Sequence, residues 1–158
     1  MNKLTATDIE TFYLYPSAMA VYNRKVLVHT ILGSCVAVCL YDKVLNIGGI
    51  NHYMLPLWNG EGLSTPKYGN VAIDKLIDKM LANGSRKEHL VAKIFGGGEV
   101  LETDFKGFNI GPRNIEIARH MLKEYKIPVL AQSTGGKLGR KIVFNTQSGE
   151  VMQRFIMK

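Results

Sequence analysis

The sequence predicts an α/β fold, a layered sandwich of mostly antiparallel or mixed sheet with two main helices. Three observations support this class. Short segments rich in valine, isoleucine and tyrosine dominate the first half of the chain, two longer segments have the apolar spacing of helices, and asparagine, glycine and aspartate separate them. The 158 residues are 46% hydrophobic and 21% charged, which favours one domain, residues 1–158, with one core.

Four strands are predicted first, because each segment is short, rich in β-branched and aromatic residues and bounded by turn residues. They cover residues 18–22, 25–32, 36–41 and 47–53. A long irregular stretch, 56–68, follows them. Loops of this length are often functional.

Two helices are predicted next, at 70–81 and 112–125. The first has one apolar stripe and ends at an Asn-Gly pair, and the second has Pro112 in its first turn. The apolar stripes are Ile73, Leu76, Ile77, Met80 and Leu81, and then Ile115, Ala118, Met121, Leu122 and Tyr125. Strands at 90–95, 128–132, 140–145 and 151–156 surround these helices, which gives the layered arrangement.

Charge and hydropathy narrow the function classes. The net charge of +7 comes from 20 basic and 13 acidic residues and favours acidic partners. The basic residues are scattered, without an arginine-rich arm or zinc finger, so nucleic acid is not the expected partner. No apolar run approaches the ~20 residues of a spanning helix, and residues 1–10 lack the apolar centre of a signal peptide, which predicts a cytoplasmic protein without membrane insertion.

Cys35 is the first candidate for chemistry. It follows Gly33 and Ser34 just as an apolar run begins, so a turn presents its thiol and consecutive N–H groups there can point at an anion forming beside the sulfur. The alternative is a small buried hydrophobe. Cys39 lies inside the apolar run and is expected in the core, about 13 Å from Cys35 on a regular strand and beyond disulfide reach.

His52 is the candidate base. It stands 52 − 35 = 17 residues after Cys35, at the end of the next predicted strand, where antiparallel pairing can return it to the thiol. An imidazole beside a thiol can take its proton and generate the nucleophile. The alternative is a structural histidine. His89 and His120 are expected without a role, whereas His29 lies on the strand leading to the turn.

Two glycine clusters adjoin predicted strands. Neither has the ending of a P-loop or the spacing of a dinucleotide fingerprint, so phosphate binding is disfavoured. Loops that wall a substrate groove are the preferred interpretation, with four candidates: Gly96, Gly97, Gly135 and Gly136.

Several of these segments together resemble the CheD family. The resemblance rests on the run TILGSCVAVCLYD at 30–42 and on HYMLP beginning at His52, and it covers roughly residues 13–149. Further matching segments are KYG at 67–69, AKIFGGG at 92–98, IGPRN at 110–114, and the Gly135-Gly136 pair with GRK at 139–141.

The resemblance implies a fold similar to the catalytic domain of cytotoxic necrotizing factor toxins. It also implies hydrolysis of particular glutamine side chains on methyl-accepting chemotaxis receptors to glutamate, by a Cys-His pair with a threonine as third member, in the service of chemotaxis. In some bacteria members of the family bind the phosphatase CheC. Cys35 and His52 match the pair, and no metal or cofactor is expected.

The chain departs from the family pattern at two positions. The threonine usually sits six residues before the cysteine, where this chain has His29, with Thr30 adjacent. Because a one-residue shift reverses side-chain direction on a strand, His29 is predicted to take the third position, where it either orients His52 or raises the local positive charge. Ser133 stands where many relatives have an aspartate.

The resulting hypothesis is a cysteine deamidase with Gly33 and Ser34 in the oxyanion turn. One alternative is a catalytically silent module that docks CheC or a chemoreceptor, its site disabled by His29. Another is a zinc site formed by Cys35, Cys39, His29 and His52, which the separation of the two cysteines disfavours.

Overall fold

The computed structural model describes residues 9–100 and 109–157, which form nine strands and two α-helices. Residues 1–8, part of the segment tested above for a signal peptide, lie outside the described chain. The elements in order are β1 Thr11–Tyr13, β2 Met19–Tyr22, β3 Leu27–Leu32, β4 Val36–Asp42, β5 Ile47–Asn51, α1 Gly69–Ala82, β6 Leu90–Gly96, α2 Ile110–Glu124, β7 Val129–Thr134, β8 Gly139–Asn145 and β9 Val151–Ile156.

The elements stack in three layers. A five-stranded sheet, in the order β2-β5-β4-β6-β7, carries both helices on one face. A four-stranded sheet, in the order β1-β3-β8-β9, covers the other face. Only β1 with β3 and β6 with β7 pair in parallel among these strands, so the predicted α/β sandwich of mostly antiparallel, mixed sheet is confirmed.

The central strand β4 shows why the layers form. It is buried on both faces and reads as a nearly continuous apolar run. Val38 and Leu40 pack against the helices, whereas Ala37 and Cys39 pack against the four-stranded sheet. Cys39 is therefore a core residue, as predicted, and burial raises the pKa of its thiol.

Strand β5 ends two residues before the predicted boundary. The reason is Asn51, whose side-chain Oδ1 accepts the Val38 N–H at 2.8 Å. Backbone pairing resumes where Val36 and Tyr53 exchange hydrogen bonds of 3.0 and 3.1 Å. His52 thus lies between a side-chain contact and a backbone bridge, which fixes its position beside β4.

The two glycine clusters differ in their surroundings. Gly96 and Gly97 are buried with φ of +108° and +72°, and a Cβ on either would overlap the Cys35 carbonyl or the side chain of Ile115. Both glycines therefore allow β6 and α2 to approach the turn at Cys35 closely, and their role in a substrate groove stays a prediction. Gly135 and Gly136, at φ of +79° and +75°, face open space, and their groove role stays a prediction.

Within residues 9–100 and 109–157, no helix has the length and apolar character that crossing a membrane requires.

Candidate active site

The turn that carries Cys35 is one of the points where the chain passes from one sheet to the other. Gly33, Ser34 and Cys35 connect β3 of the four-stranded sheet to β4 of the five-stranded sheet. The loop after β6 holds this turn, because Gly98 N–H donates to the Gly33 carbonyl and Gly97 N–H to the Cys35 carbonyl, each at 2.9 Å. The thiol is half-buried and packs at the edge of the core between the sheets.

The register of β4 and β5 brings Cys35 and His52 together. Cys39 pairs with Ile50 and Val36 with Tyr53, so the same register continues past the end of β5. Cys35 and His52 are then diagonal neighbours on the face that looks toward the four-stranded sheet. The pair predicted from sequence spacing therefore lies on one face of the sheet.

Thr30 completes a hydrogen-bonded chain behind His52. Its Oγ1 lies 2.7 Å from the carbonyl oxygen of Leu14 and 2.7 Å from His52 Nδ1. A hydroxyl has one proton, and the Leu14 carbonyl can only accept, so Thr30 donates to Leu14 and accepts from Nδ1–H. His52 consequently carries its proton on Nδ1 and a lone pair on Nε2, which is buried and has no hydrogen-bond partner among the described residues.

The prediction that His29 orients His52 is wrong about geometry. On β3, Val28, Thr30 and Leu32 are buried toward the other sheet, whereas His29 and Ile31 alternate onto the outer face. The prediction carried strand alternation through to Cys35, but the chain changes sheets at residues 33–35 and the alternation does not survive that turn. The Cys35, Cys39, His29 and His52 set does not converge either, because His29 is on the far side of its sheet.

Burial sets the charge state of the pair. It lowers the pKa of His52 to about 4 and raises the pKa of the Cys35 thiol, which the residue's own backbone N–H partly offsets. Both groups are therefore neutral at pH 7. A neutral imidazole with a free Nε2 lone pair is a general base, so the proton leaves the thiol as the sulfur attacks rather than beforehand.

The low pKa of His52 predicts acid-sensitive folding. The imidazole titrates at about 4 when folded and at about 6.5 when unfolded, so the unfolded chain binds more protons between these values. The free energy of unfolding should fall as the pH drops through this window, by about 3 kcal/mol in all. Urea denaturation at half-unit pH steps from 7 to 4 measures the slope.

His52→Gln is the matched control for this slope, because it keeps a polar side chain that does not titrate. The unfolding free energy of wild type minus that of the variant should therefore fall as the pH drops toward 4. Equal pH slopes for both proteins would show that His52 does not resist protonation in the fold.

Asn114 is a buried residue to which the sequence analysis gave no role. Its Nδ2 donates to the carbonyls of Ser34 and Met54, both at 3.0 Å, and its backbone carbonyl accepts from Tyr53 Oη. A signal was present in the sequence: Asn114 is a polar residue beside Ile115 on the apolar stripe of α2. A polar side chain inside such a stripe needs buried partners.

Ser133 contacts the buried side chain of Arg140. Arg140 Nε donates to Ser133 Oγ at 3.1 Å, and Nη2 donates to the Gly135 carbonyl at 2.8 Å. Gly135 N–H in turn donates to the Gly96 carbonyl at 3.0 Å. Ser133 therefore helps Arg140 to support the loop that lies against the turn at Cys35.

A thiol, an imidazole with a free nitrogen and a hydroxyl that orients the imidazole form the arrangement used by cysteine-dependent hydrolases. Here two sheets and a connecting turn hold the three groups, Cys35, His52 and Thr30. The site therefore has the side chains that a cysteine-dependent hydrolase uses.

Comparison with known proteins specifies the family. The family model "CheD chemotactic sensory transduction" matches residues 54–155, which begin just after His52. Sequence similarity to whole relatives includes the site: a probable chemoreceptor glutamine deamidase CheD of Trichlorobacter lovleyi is 50% identical over 152 residues, 96% of this chain and 94% of that protein. The chain belongs to the CheD family.

Two further relatives support membership of the same family. A probable chemoreceptor glutamine deamidase CheD of Sulfurimonas denitrificans is 46% identical over 96% of this chain and 97% of its own length. The chemoreceptor glutamine deamidase CheD of Thermotoga maritima is 39% identical over 84% of this chain and 83% of its own.

Similarity to solved structures concerns the fold alone. The hypothetical protein YfiH of Bacillus licheniformis superposes with a TM-score of 0.50 at 16% identity, over 73% of this chain and 49% of that one. Neisseria meningitidis protein NMB0706 gives 0.50 at 11% identity, over 82% and 65%. This chain thus spans about half to two thirds of those proteins, and they, rather than the toxin domain expected from the resemblance, are its structural neighbours.

Proposed function

We propose that this protein is a glutamine deamidase that converts specific glutamine side chains of methyl-accepting chemotaxis receptors to glutamate. One observation carries the proposal: Thr30 and Leu14 fix the His52 tautomer with a free Nε2 lone pair, and the strand register makes His52 a diagonal neighbour of Cys35 on one face of the sheet. The names of the relatives supply the substrate. The proposed place of action is the cytoplasm.

The reaction proceeds through a thioester. His52 Nε2 takes the Cys35 proton as the sulfur attacks the side-chain amide carbon of the glutamine. The tetrahedral intermediate collapses, the C–N bond breaks, and the nitrogen leaves as ammonia with the proton from His52. Water, deprotonated by His52, then attacks the thioester and releases glutamate and the Cys35 thiol. No step requires a metal or an organic cofactor.

The turn before β4 supplies oxyanion stabilisation in this proposal. The N–H groups of Ser34 and Cys35 donate to no backbone carbonyl in the described chain, whereas those of Val36, Gly97 and Gly98 are all engaged. Gly33 sits beside this pair of donors. Fixed N–H donors aimed at a developing oxyanion stabilise the transition state more than the neutral amide.

Mass spectrometry of a receptor cytoplasmic fragment tests the proposal. Incubation with the protein should add about one mass unit for each glutamine converted, because OH replaces NH2. Tandem spectra locate the converted residues, and release of one ammonia per added mass unit confirms hydrolysis. Unchanged mass in a fragment that nevertheless binds the protein would favour a docking module instead.

Docking of CheC remains a second proposal. The alternative of a catalytically silent module assumed that His29 had replaced the threonine of the site. The Thr30–His52 hydrogen bond supports a threonine in that position, so this assumption is no longer needed. The net charge of +7 still favours acidic protein surfaces. Purified CheC should therefore bind in a salt-dependent manner if the organism uses this partner, and the absence of binding at low salt would exclude it.

A further inference from the structure

Asn114 joins the two segments that carry the reacting groups. The Ser34 carbonyl immediately precedes Cys35, and the Met54 carbonyl lies two residues after His52. One primary amide, fully buried in the first half of α2, contacts both at 3.0 Å. Both partners can only accept, so the NH2 end of the amide must face them and the orientation of the side chain is fixed.

The contact with Ser34 determines where the Cys35 N–H points. The carbonyl of Ser34 and the N–H of Cys35 belong to one planar trans peptide, in which the two groups point in opposite directions. Holding the oxygen on Asn114 therefore holds the N–H away from α2. This N–H lies close enough to its own sulfur to lower the pKa of the Cys35 thiol.

The next peptide, between Cys35 and Val36, is held by hydrogen bonds at both its carbonyl and its N–H. The Cys35 carbonyl accepts from Gly97 N–H at 2.9 Å, and the Val36 N–H donates to the Tyr53 carbonyl at 3.1 Å. Within residues 9–100 and 109–157, Asn114 is the one hydrogen-bond partner of the Ser34 carbonyl, and the N–H of the same peptide donates to no backbone carbonyl.

We propose that Asn114 is a positioning residue that directs the Cys35 N–H into the oxyanion site by holding the carbonyl of the same peptide. The inference rests on the proposed function, since it assigns the N–H a task in the thioester mechanism. Without the amide, the peptide can rotate, and the donor leaves the position where the oxyanion and the thiolate need it.

Asn114→Leu tests the proposal, because leucine keeps the branching of asparagine at Cγ but has no donor. We expect kcat to fall about tenfold or more with KM changed less than about threefold, since the donor acts on the transition state. The pH midpoint for iodoacetamide labelling of Cys35 should rise, because the thiolate loses its N–H partner. The labelling needs no receptor, so it reads out positioning even if the protein deamidates nothing.

Tyr53→Phe is the matched control. It removes the Tyr53 Oη hydrogen bond to the backbone carbonyl of Asn114, and so loosens the same contact between α2 and the site, while both Nδ2 contacts persist. This variant should keep kcat and the labelling midpoint near wild type. Matching behaviour of the two folded variants would overturn the inference and leave Asn114 a stabilising residue.

A measurement on the wild-type protein decides the matter if Asn114→Leu does not fold. The Cys35 amide proton, followed by nitrogen-15 nuclear magnetic resonance, should move downfield as the Cys35 thiol ionises. A shift that follows the thiol titration supports the proposed direction of the N–H. An amide proton indifferent to that titration overturns it.

Discussion

Cys35→Ser should abolish deamidation, with a loss of activity on the order of 10³-fold or more. Serine keeps the size and position of the side chain, but a hydroxyl is far less acidic than a thiol. A neutral imidazole whose pKa burial lowers to about 4 is too weak a base to activate it. Because Cys35 is only half-buried at the edge of the core, the fold should persist.

Cys39→Ser is the control on the same strand. Cys39 is almost fully buried between the sheets, so a hydroxyl there should cost about 1 to 3 kcal/mol of unfolding free energy while the folded protein stays active. Deamidation rates and thermal denaturation of both purified variants give the comparison. Similar residual activity in the two folded proteins would mean that Cys35 is not the nucleophile.

The sequence predicts those helices and strands that are buried on one face or on both. The apolar stripes of α1 and α2 and the continuous run of β4 each predict their element, with ends that differ from the structure by two residues at most. Strand β1 escaped prediction because its three residues are all exposed and form a strand only by pairing with β3. Such a strand leaves no burial pattern in the sequence.

Only part of the candidate site could be predicted from the sequence. Cys35 and His52 are linked by antiparallel register, which spacing along the chain can suggest. The Thr30–His52 hydrogen bond joins different sheets, and its geometry depends on how the chain turns between them. The contacts of Asn114 likewise link a helix to two loops across 60 and 80 residues of sequence, a separation over which no local pattern informs.

The assignment of Thr30 rather than His29 leads to a second large expected effect. Thr30→Val keeps the shape of the side chain but removes the acceptor for His52 Nδ1–H and the donor to the Leu14 carbonyl. Nothing then selects the tautomer with a free Nε2, and kcat should fall by about 10²-fold or more. Thr30→Ser retains the hydroxyl and should recover most of the activity.

His29→Ala provides the contrast on the neighbouring position. His29 lies on the outer face of β3, where partial burial and, to a lesser extent, Lys141 lower the pKa of its imidazole, and it takes no part in the Thr30–His52 contact. Its deamidation rate should stay within about threefold of wild type. Rates are compared on one receptor fragment at pH 7 and below the melting temperature of each variant, because Thr30→Val also leaves buried polar groups unpaired. If His29→Ala lost as much activity as Thr30→Val, the imidazole on the outer face would have to act on His52 through the sheet, and Thr30 would not be the residue that orients the base.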